Sequence, residues 1–269
     1  MLVNVISIIS SERTHRVLSR LISLGYTPKV VPALDLRQKD LGCLTGMFNI
    51  KSFEARYNRA PSAGEIGCTL SHLLAIRKLG DKGLSGEGVI FEDDVIPLCG
   101  SGTIEQIYTD IIASPFDIVV LGYSKADDNT EAYIDIVNPF LPICRSISPY
   151  AIGVRYQHST SGAVGYVVKK RAATVLFSIE TPCHLADDWA YYASLGLNIG
   201  YVSPMLVRED ILGVKSTLGH DCGFIAPNNH KSFFVRMLLK IRRRVIGFYR
   251  LRIMKLKYAG FNFRQKSAI

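Results

Sequence analysis

The order of apolar and polar residues along the chain predicts alternating strands and helices. Residues 2–9, LVNVISII, form a β-branched apolar run that is typical of a buried strand. The next segment predicts a helix that Ser10 or Ser11 can cap and that Gly25 ends, and KVVPALD then predicts a second strand. A strand, a helix and a strand in this order are a βαβ opening, which favours a parallel sheet.

The same alternation continues beyond this opening. Residues 64–79 predict a helix that Gly80 ends, because its apolar residues recur at helical spacing. Further strands are predicted at GVIF, FDIVVLG, GAVGYVVK and IGYVSP, and further helices at IEQIYTDIIA, KRAATVLFSI and DDWAYYASLG. Residues 123–160 are polar and contain proline, so they predict a long irregular loop. The predicted fold is α/β, with a mostly parallel central sheet covered on both faces and ligands bound beyond the carboxyl ends of its strands.

Composition fits a globular protein, and charge divides the chain in two. The 269 residues are 48% hydrophobic and 20% charged, which excludes the disordered and fibrous classes. The net charge is +9, and twelve Lys and Arg follow Asp221 with no acidic residue among them. Residues 1–221 therefore carry 32 − 12 = 20 basic and 23 acidic residues, a net charge of −3. We therefore predict a body over residues 1–229 and a basic amphipathic helical tail over residues 230–269.

The tail predicts an anionic partner. Residues 231–258 mix Phe, Met, Leu and Ile with Lys and Arg, a pattern that suits an anionic membrane surface. Nucleic acid is the rival partner, although none is expected, and a helix packed on the body with solvated charges is the remaining alternative. The six cysteines have no CxxC spacing, and no basic region precedes the first apolar run. No apolar run reaches the length of a membrane span. These features favour a cytoplasmic protein with reduced thiols.

The stretch GVIFEDDVIP, residues 88–97, carries the strongest chemical signal. It places Glu92, Asp93 and Asp94 at the end of an apolar strand. Adjacent buried carboxylates repel one another, which raises their pKa values or destabilises the fold. A divalent cation such as Mg²⁺ or Mn²⁺ would remove this repulsion, whereas the plain alternative is a solvated turn.

Polar residues on two predicted helices supply further candidates. Glu65, Cys68 and His72 lie on one helical stripe, so they are candidate site residues. The alternative is an N-terminal Glu favoured by the helix dipole and a core histidine. Arg13 and Arg16 follow the first strand and suit phosphate, although Arg16 fits a solvated helix face equally well.

Asp187 and Asp188 are candidate functional carboxylates, and a pair of helix N-caps is their alternative. A zinc site is a further alternative near this segment, with ligands from Cys183, His184, His220 and Cys222, although their spacing fits no standard pattern.

The succession of GEIGCTLSH and VIFEDDV resembles glycosyltransferase family 25, the lipooligosaccharide glycosyltransferases. Weaker similarity extends over residues 3 to 217, in VISIISSERTHR, VPALDLR, GAVGYVVKKRAATVL and HLADDW, but not over the tail. The resemblance implies a GT-A-like nucleotide-sugar-binding fold. It also implies an inverting transfer of a hexose, with galactose favoured, from a UDP-sugar to a lipid-linked lipooligosaccharide or lipopolysaccharide core.

The resemblance also implies roles for individual residues. Asp94, with Glu92 and His220, would hold Mn²⁺ or Mg²⁺. Asp187 is the preferred catalytic base, with Asp188 the second choice and Glu65 a further catalytic candidate. The implied donor-binding residues are Ile8, Ser10, Arg13, Asp35, Glu65, His72, Glu92, Asp93, Gly165 and Tyr166.

This interpretation places a bacterial enzyme in the cytoplasm, peripheral to the inner membrane. The rivals are a nucleotide-sugar transferase acting on protein or capsule, and a catalytically silent, basic-tailed membrane or nucleic-acid binding protein.

Overall fold

The computed structural model describes residues 1–8, 11–80, 86–124, 128–158, 162–210 and 233–259. Within these ranges the centre of the protein is an eight-stranded sheet. Its strands, in spatial order, are β2 (Pro28–Pro32), β1 (Val3–Ser7), β3 (Gly88–Glu92), β9 (Gly165–Val168), β5 (Ile118–Val120), β10 (Ile199–Ser203), β8 (Ala151–Arg155) and β7 (Phe140–Arg145).

Six of these eight strands run in one direction. β1 is parallel to β2 and β3, and β5 is parallel to β10. The reversed strands are β9, which lies between β3 and β5, and β8, which lies between β10 and β7. The sheet is therefore mixed, with a predominant direction that agrees with the predicted parallel character. The carboxyl ends of β1, β3 and β5 and the amino end of β9 all reach the same edge.

A small three-stranded sheet lies next to this edge. It joins β4 (Val95–Pro97), β11 (Val207–Glu209) and β6 (Gly122–Tyr123). Glu209 pairs with Val95, and the Asp210 N–H donates to the Asp94 carbonyl over 2.8 Å. The turn between β3 and β4 is thus held by hydrogen bonds from a segment more than a hundred residues away in sequence.

Helices cover both faces of the central sheet, as the apolar strands predict. α1 (Glu12–Ser23) and α4 (Ser101–Ala113) pack on one face, where their apolar side chains meet Val3, Val5 and Phe91. α3 (Ala63–Leu79), α6 (Lys170–Phe177) and α7 (Trp189–Ser194) pack on the other, against Ile6 and Ile90. A smaller cluster forms where a 3₁₀ turn (Leu41–Leu44) and α2 (Ile50–Tyr57) meet the start of α3.

Local sequence explains where the two site-bearing helices begin. Ser11 accepts the Thr14 N–H and caps α1. Ser62 and Glu65 form a reciprocal capping box at the start of α3, and Gly80 follows its last residue, as predicted.

The prediction of an irregular loop over residues 123–160 is wrong. The described part of this stretch contains β6, α5 (Asp128–Val137), β7 and β8. β7 was not predicted from the sequence because it contains Pro142, and proline lacks the N–H that a central strand needs. The structure accommodates it since β7 is an edge strand whose register shifts between Pro142 and Cys144.

The long basic helix predicted over residues 231–258 is present as α8 (Phe233–Tyr258), which packs on α5 and β7. Gly247 makes this packing possible, since a Cβ atom there would lie 2.2 Å from the Ile136 carbonyl oxygen. The predicted domain boundary at residue 229 lies outside the described residues. Across the described ranges, no helix is long and apolar enough to cross a membrane.

Candidate active site

The turn after β3 gathers three carboxylates that are mostly shielded from water. The side chains of Glu92, Asp93 and Asp94 are 26%, 17% and 16% exposed, so the turn is not the solvated one that the plain alternative requires. Arg13 of α1 donates to Asp94 over 2.8 Å and lies 3.1 Å from Asp93. Ser7, the last residue of β1, donates its hydroxyl to Asp93 over 2.7 Å.

Negative charge in this turn exceeds the positive charge that contacts it. Burial raises the pKa of Asp93, although Ser7 and Arg13 oppose the shift. Burial and the charge of Glu92 raise the pKa of Asp94 to about 8, and Glu209 adds to this effect while Arg13 opposes it. Asp94 Oδ1 is buried without a hydrogen-bond partner among the described residues. A buried acceptor oxygen among carboxylates is a position that a divalent cation would satisfy.

A hydrogen-bonded chain of Tyr166, His72 and Glu92 forms the adjoining wall. His72 of α3 is 1% exposed, and its Nδ1 lies 2.8 Å from the Tyr166 hydroxyl while its Nε2 lies 3.0 Å from Glu92 Oε1. The antiparallel pairing of β9 with β3 brings Tyr166 to this position. The chain orients the Glu92 carboxylate, and the donor-binding role of His72 remains a prediction.

Cys68 completes a second group of possible metal ligands. The ligand atoms of Cys68, His72 and Glu92 lie within 4.8 Å of one another, and their types match a zinc site. However, burial and the nearby charges of Glu92 and Asp187 raise the pKa of the Cys68 thiol, and His72 already hydrogen-bonds Glu92. We therefore assign Cys68 and His72 to the wall of the site rather than to a metal centre.

The structure separates the roles of the two neighbouring aspartates. Asp188 is the N-cap of α7, where it accepts the Tyr191 N–H over 2.8 Å and the Arg56 guanidinium over 2.7 Å. Burial raises the pKa of Asp188, but the hydrogen bonds from Arg56, Tyr57 and Tyr191 outweigh burial and lower it overall. One member of the pair thus fills the N-cap role that the sequence allowed.

Asp187 instead lies near enough to Glu92 and His72 for their charges to act on it. Its Oδ2 accepts the N–H of Gly162 over 2.7 Å. Burial raises its pKa in spite of this hydrogen bond; the charge of Glu92 raises it further, and His72 lowers it. A carboxyl group whose pKa is raised beside other charged groups is a reasonable candidate for proton transfer.

Two other predicted site residues have local partners. Glu65 accepts from the Ser62 N–H within the capping box and pairs with Arg59. Asp35 forms an exposed pair with Arg37, whose hydrogen bond lowers the Asp35 pKa to about 2. The predicted sugar-binding roles of Glu65 and Asp35 remain predictions.

The remaining predicted donor residues divide by position. Ile8, at the end of β1, is 37% exposed and its carbonyl accepts from Thr14. Gly165 lies opposite Phe91, where a Cβ atom would come within 2.8 Å of the Val207 side chain, so the close approach requires glycine. Ser10 and His220 lie outside the described residues, as does Cys222 of the zinc alternative.

Sequence reasoning missed three groups at this edge. Ser7 was part of an apolar run, and its position at the carboxyl end of a strand was the signal. Glu209 belongs to an acidic pair that follows the last predicted strand, a repetition of the pattern at Glu92–Asp94. The role of the Gly162 N–H could not be predicted from the sequence, because nearly every residue has a backbone N–H.

A protein family, a curated relative and a solved structure are similar to this chain. Residues 1–190 match the family "Glycosyltransferase family 25 (LPS biosynthesis protein)". Over 130 residues the chain is 28% identical to a Bos taurus protein named "Probable inactive glycosyltransferase 25 family member 3"; this match covers 46% of the chain but only 22% of that relative. Among solved structures, "Crystal Structure of A197 from STIV" matches with a TM-score of 0.39 and 10% identity, over 77% of this chain and 82% of that one.

The family match covers 190 of the 269 residues, including the acidic turn, Arg13, the Tyr166–His72–Glu92 chain and Asp187. The chain belongs to glycosyltransferase family 25.

Proposed function

We propose that this protein is an active, metal-assisted glycosyltransferase. It would transfer a hexose, with galactose favoured, from a UDP-sugar to a lipid-linked lipopolysaccharide core, with inversion, on a GT-A-like donor-binding framework. The observation that carries the proposal is the unpartnered Asp94 Oδ1 in a carboxylate-rich, mostly buried turn next to Arg13. A cation held by Asp94 and Glu92, Mn²⁺ or Mg²⁺, would act as a Lewis acid on the diphosphate leaving group.

Arg13 and Ser7 prepare this turn for a diphosphate. The Arg13 guanidinium bridges Asp93 and Asp94. Since the planar guanidinium also matches phosphate, Arg13 would be placed to contact the donor diphosphate. Ser7 keeps Asp93 oriented, which leaves that carboxylate available to ribose or sugar hydroxyls.

Asp187 is the proposed base. An inverting transfer requires a carboxylate that removes the proton of the acceptor hydroxyl as the new bond forms. The N–H of Gly162 orients Asp187 from one side, and its raised pKa improves it as a proton acceptor. Asp188 is already engaged by Arg56 and by the N-terminus of α7, which supports Asp187 as the choice.

The name of the Bos taurus relative makes a catalytically silent protein the second candidate. The presence here of Glu92, Asp93, Asp94 and Asp187 in one mostly buried site favours activity. A silent binding protein has no need of a carboxylate cluster in which burial and the charge of Glu92 raise the Asp94 pKa to about 8.

The test is a thermal-shift screen of UDP-galactose, UDP-glucose and UDP-N-acetylhexosamines with and without Mn²⁺, followed by donor turnover. A donor that binds only the native state raises Tm. Asp94→Asn should abolish the Mn²⁺-dependent shift, whereas the control Asp40→Asn, on an exposed residue, should retain it. Asp187→Asn should lower turnover by roughly 10²- to 10⁴-fold while the donor shift remains. A wild-type protein that binds no donor and transfers no sugar would establish the silent alternative.

A further inference from the structure

Helix α8 has one face that the body already covers. Gly247 and Met254 are buried, and Arg250 donates to the Val137 carbonyl while its guanidinium lies 5.0 Å from the Tyr156 ring centroid. Residues at spacings of three and four lie on one side of a helix, so these three define the face that packs on α5 and β7.

The opposite face of α8 presents large apolar side chains to solvent. Val245, Tyr249 and Leu256, which follow one another at spacings of four and seven, are 48%, 62% and 74% exposed. Phe248 and Ile253 lie beside them at 63% and 51% exposure. We call these five residues the apolar ridge. Its alignment on one side of a helix distinguishes it from the scattered single apolar residues that are normal on protein surfaces.

Basic side chains lie within and beside the apolar ridge. The sequence of α8 contains nine Lys and Arg and no acidic residue. Of these, six are exposed: Arg242, Arg243, Arg244, Arg252, Lys255 and Lys257. The helix therefore combines hydrophobic and cationic contact on its outward side.

We propose that this outward face docks on the surface of an anionic lipid bilayer. The apolar ridge would enter the boundary between headgroups and acyl chains, while the neighbouring Lys and Arg contact lipid phosphates. A second copy of the chain is a poor occupant, because two helices of the same positive charge repel. Nucleic acid is also a poor occupant, because the apolar ridge would then face phosphates. The inference rests on α8 alone and does not depend on the proposed reaction.

Co-sedimentation of the full chain with vesicles tests the proposal without any activity assay. We expect binding to phosphatidylcholine–phosphatidylglycerol vesicles that is at least tenfold stronger than binding to phosphatidylcholine alone, and that weakens as salt rises from 0.1 to 0.5 M. Tyr249→Ser/Leu256→Ser should weaken binding at least tenfold, and so should Arg252→Gln/Lys255→Gln. The matched controls Ile22→Ser and Lys29→Gln/Lys51→Gln, which alter α1, β2 and α2, should bind as wild type does.

Three results would overturn the proposal. The first is equal binding of wild type and the ridge variant to anionic vesicles at unchanged Tm. The second is a concentration-dependent dimer that Leu256→Ser abolishes in a protein without vesicle affinity. The third is duplex DNA that binds more tightly than anionic vesicles and displaces them.

Discussion

Replacing the buried histidine next to the site, His184→Phe, should make the protein more resistant to mild acid. His184 is 0% exposed and stacks on Tyr191 with ring centroids 4.2 Å apart. Neither of its ring nitrogens has a hydrogen-bond partner among the described residues. Burial, assisted by the charge of Arg56 and opposed by Asp188, lowers the His184 pKa from 6.5 to about 4.

The sign and size of the effect follow from this shift. Between pH 6.5 and 4 the unfolded chain binds a proton that the folded chain does not, so the free energy of unfolding falls as pH falls through this window. The fall of the His184 pKa from 6.5 to about 4 corresponds to about 3 kcal/mol of unfolding free energy in total, of which about 2 kcal/mol is lost between about pH 7.5 and pH 5. For a chain of this size that loss lowers Tm by roughly 4 to 8 °C.

Thermal or urea unfolding of the two proteins at pH 7.5 and pH 5 measures the effect. Phe retains the stacking on Tyr191 but takes up no proton, so the variant should lack this part of the acid destabilisation. Any packing strain from the larger ring is independent of pH and cancels in the comparison. The exposed control His15→Gln should follow the wild-type profile. Parallel pH profiles for wild type and His184→Phe would refute the reasoning.

Three further predictions concern roles that the structure distinguishes. Glu65→Gln keeps the capping box and loses only the Arg59 ion pair, so the free energy of unfolding in urea should fall by less than about 1 kcal/mol. A large loss of turnover at unchanged stability would show a substrate role instead. Asp188→Asn preserves an N-cap, so turnover should stay within about twofold of wild type; a loss of 10²-fold or more would make it the base. Gly247→Ala should destabilise the protein by roughly 1–3 kcal/mol, because the added methyl group would collide with Ile136. The control Gly102→Ala lies in a helix with open space around it and should not destabilise the protein. Equal Tm shifts for the two variants would contradict the packing of α8 on the body.

Local patterns in the sequence were sufficient for most individual elements. The apolar runs of β1 and β3 and the helical period of α3 predicted those elements, because burial on one or both faces leaves a periodic trace in the chain itself. The same reasoning failed over residues 123–160, where Pro142 is tolerable only because β7 lies at the edge of the sheet.

The candidate site depended on both levels. Sequence alone determined that three carboxylates follow a buried strand, that an arginine follows the first strand and that the tail is basic, since these are properties of composition and order. Tertiary structure alone decided that β9 enters antiparallel beside β3 and carries Tyr166 to His72. It likewise decided that Asp187 lies within the electrostatic influence of Glu92 while Asp188 caps a helix. It also decided which side of α8 remains exposed. The physical reason is that burial and hydrogen bonding over the whole chain select the neighbours of each strand and the partners of each side chain. The local pattern of apolar and polar residues does not contain this information.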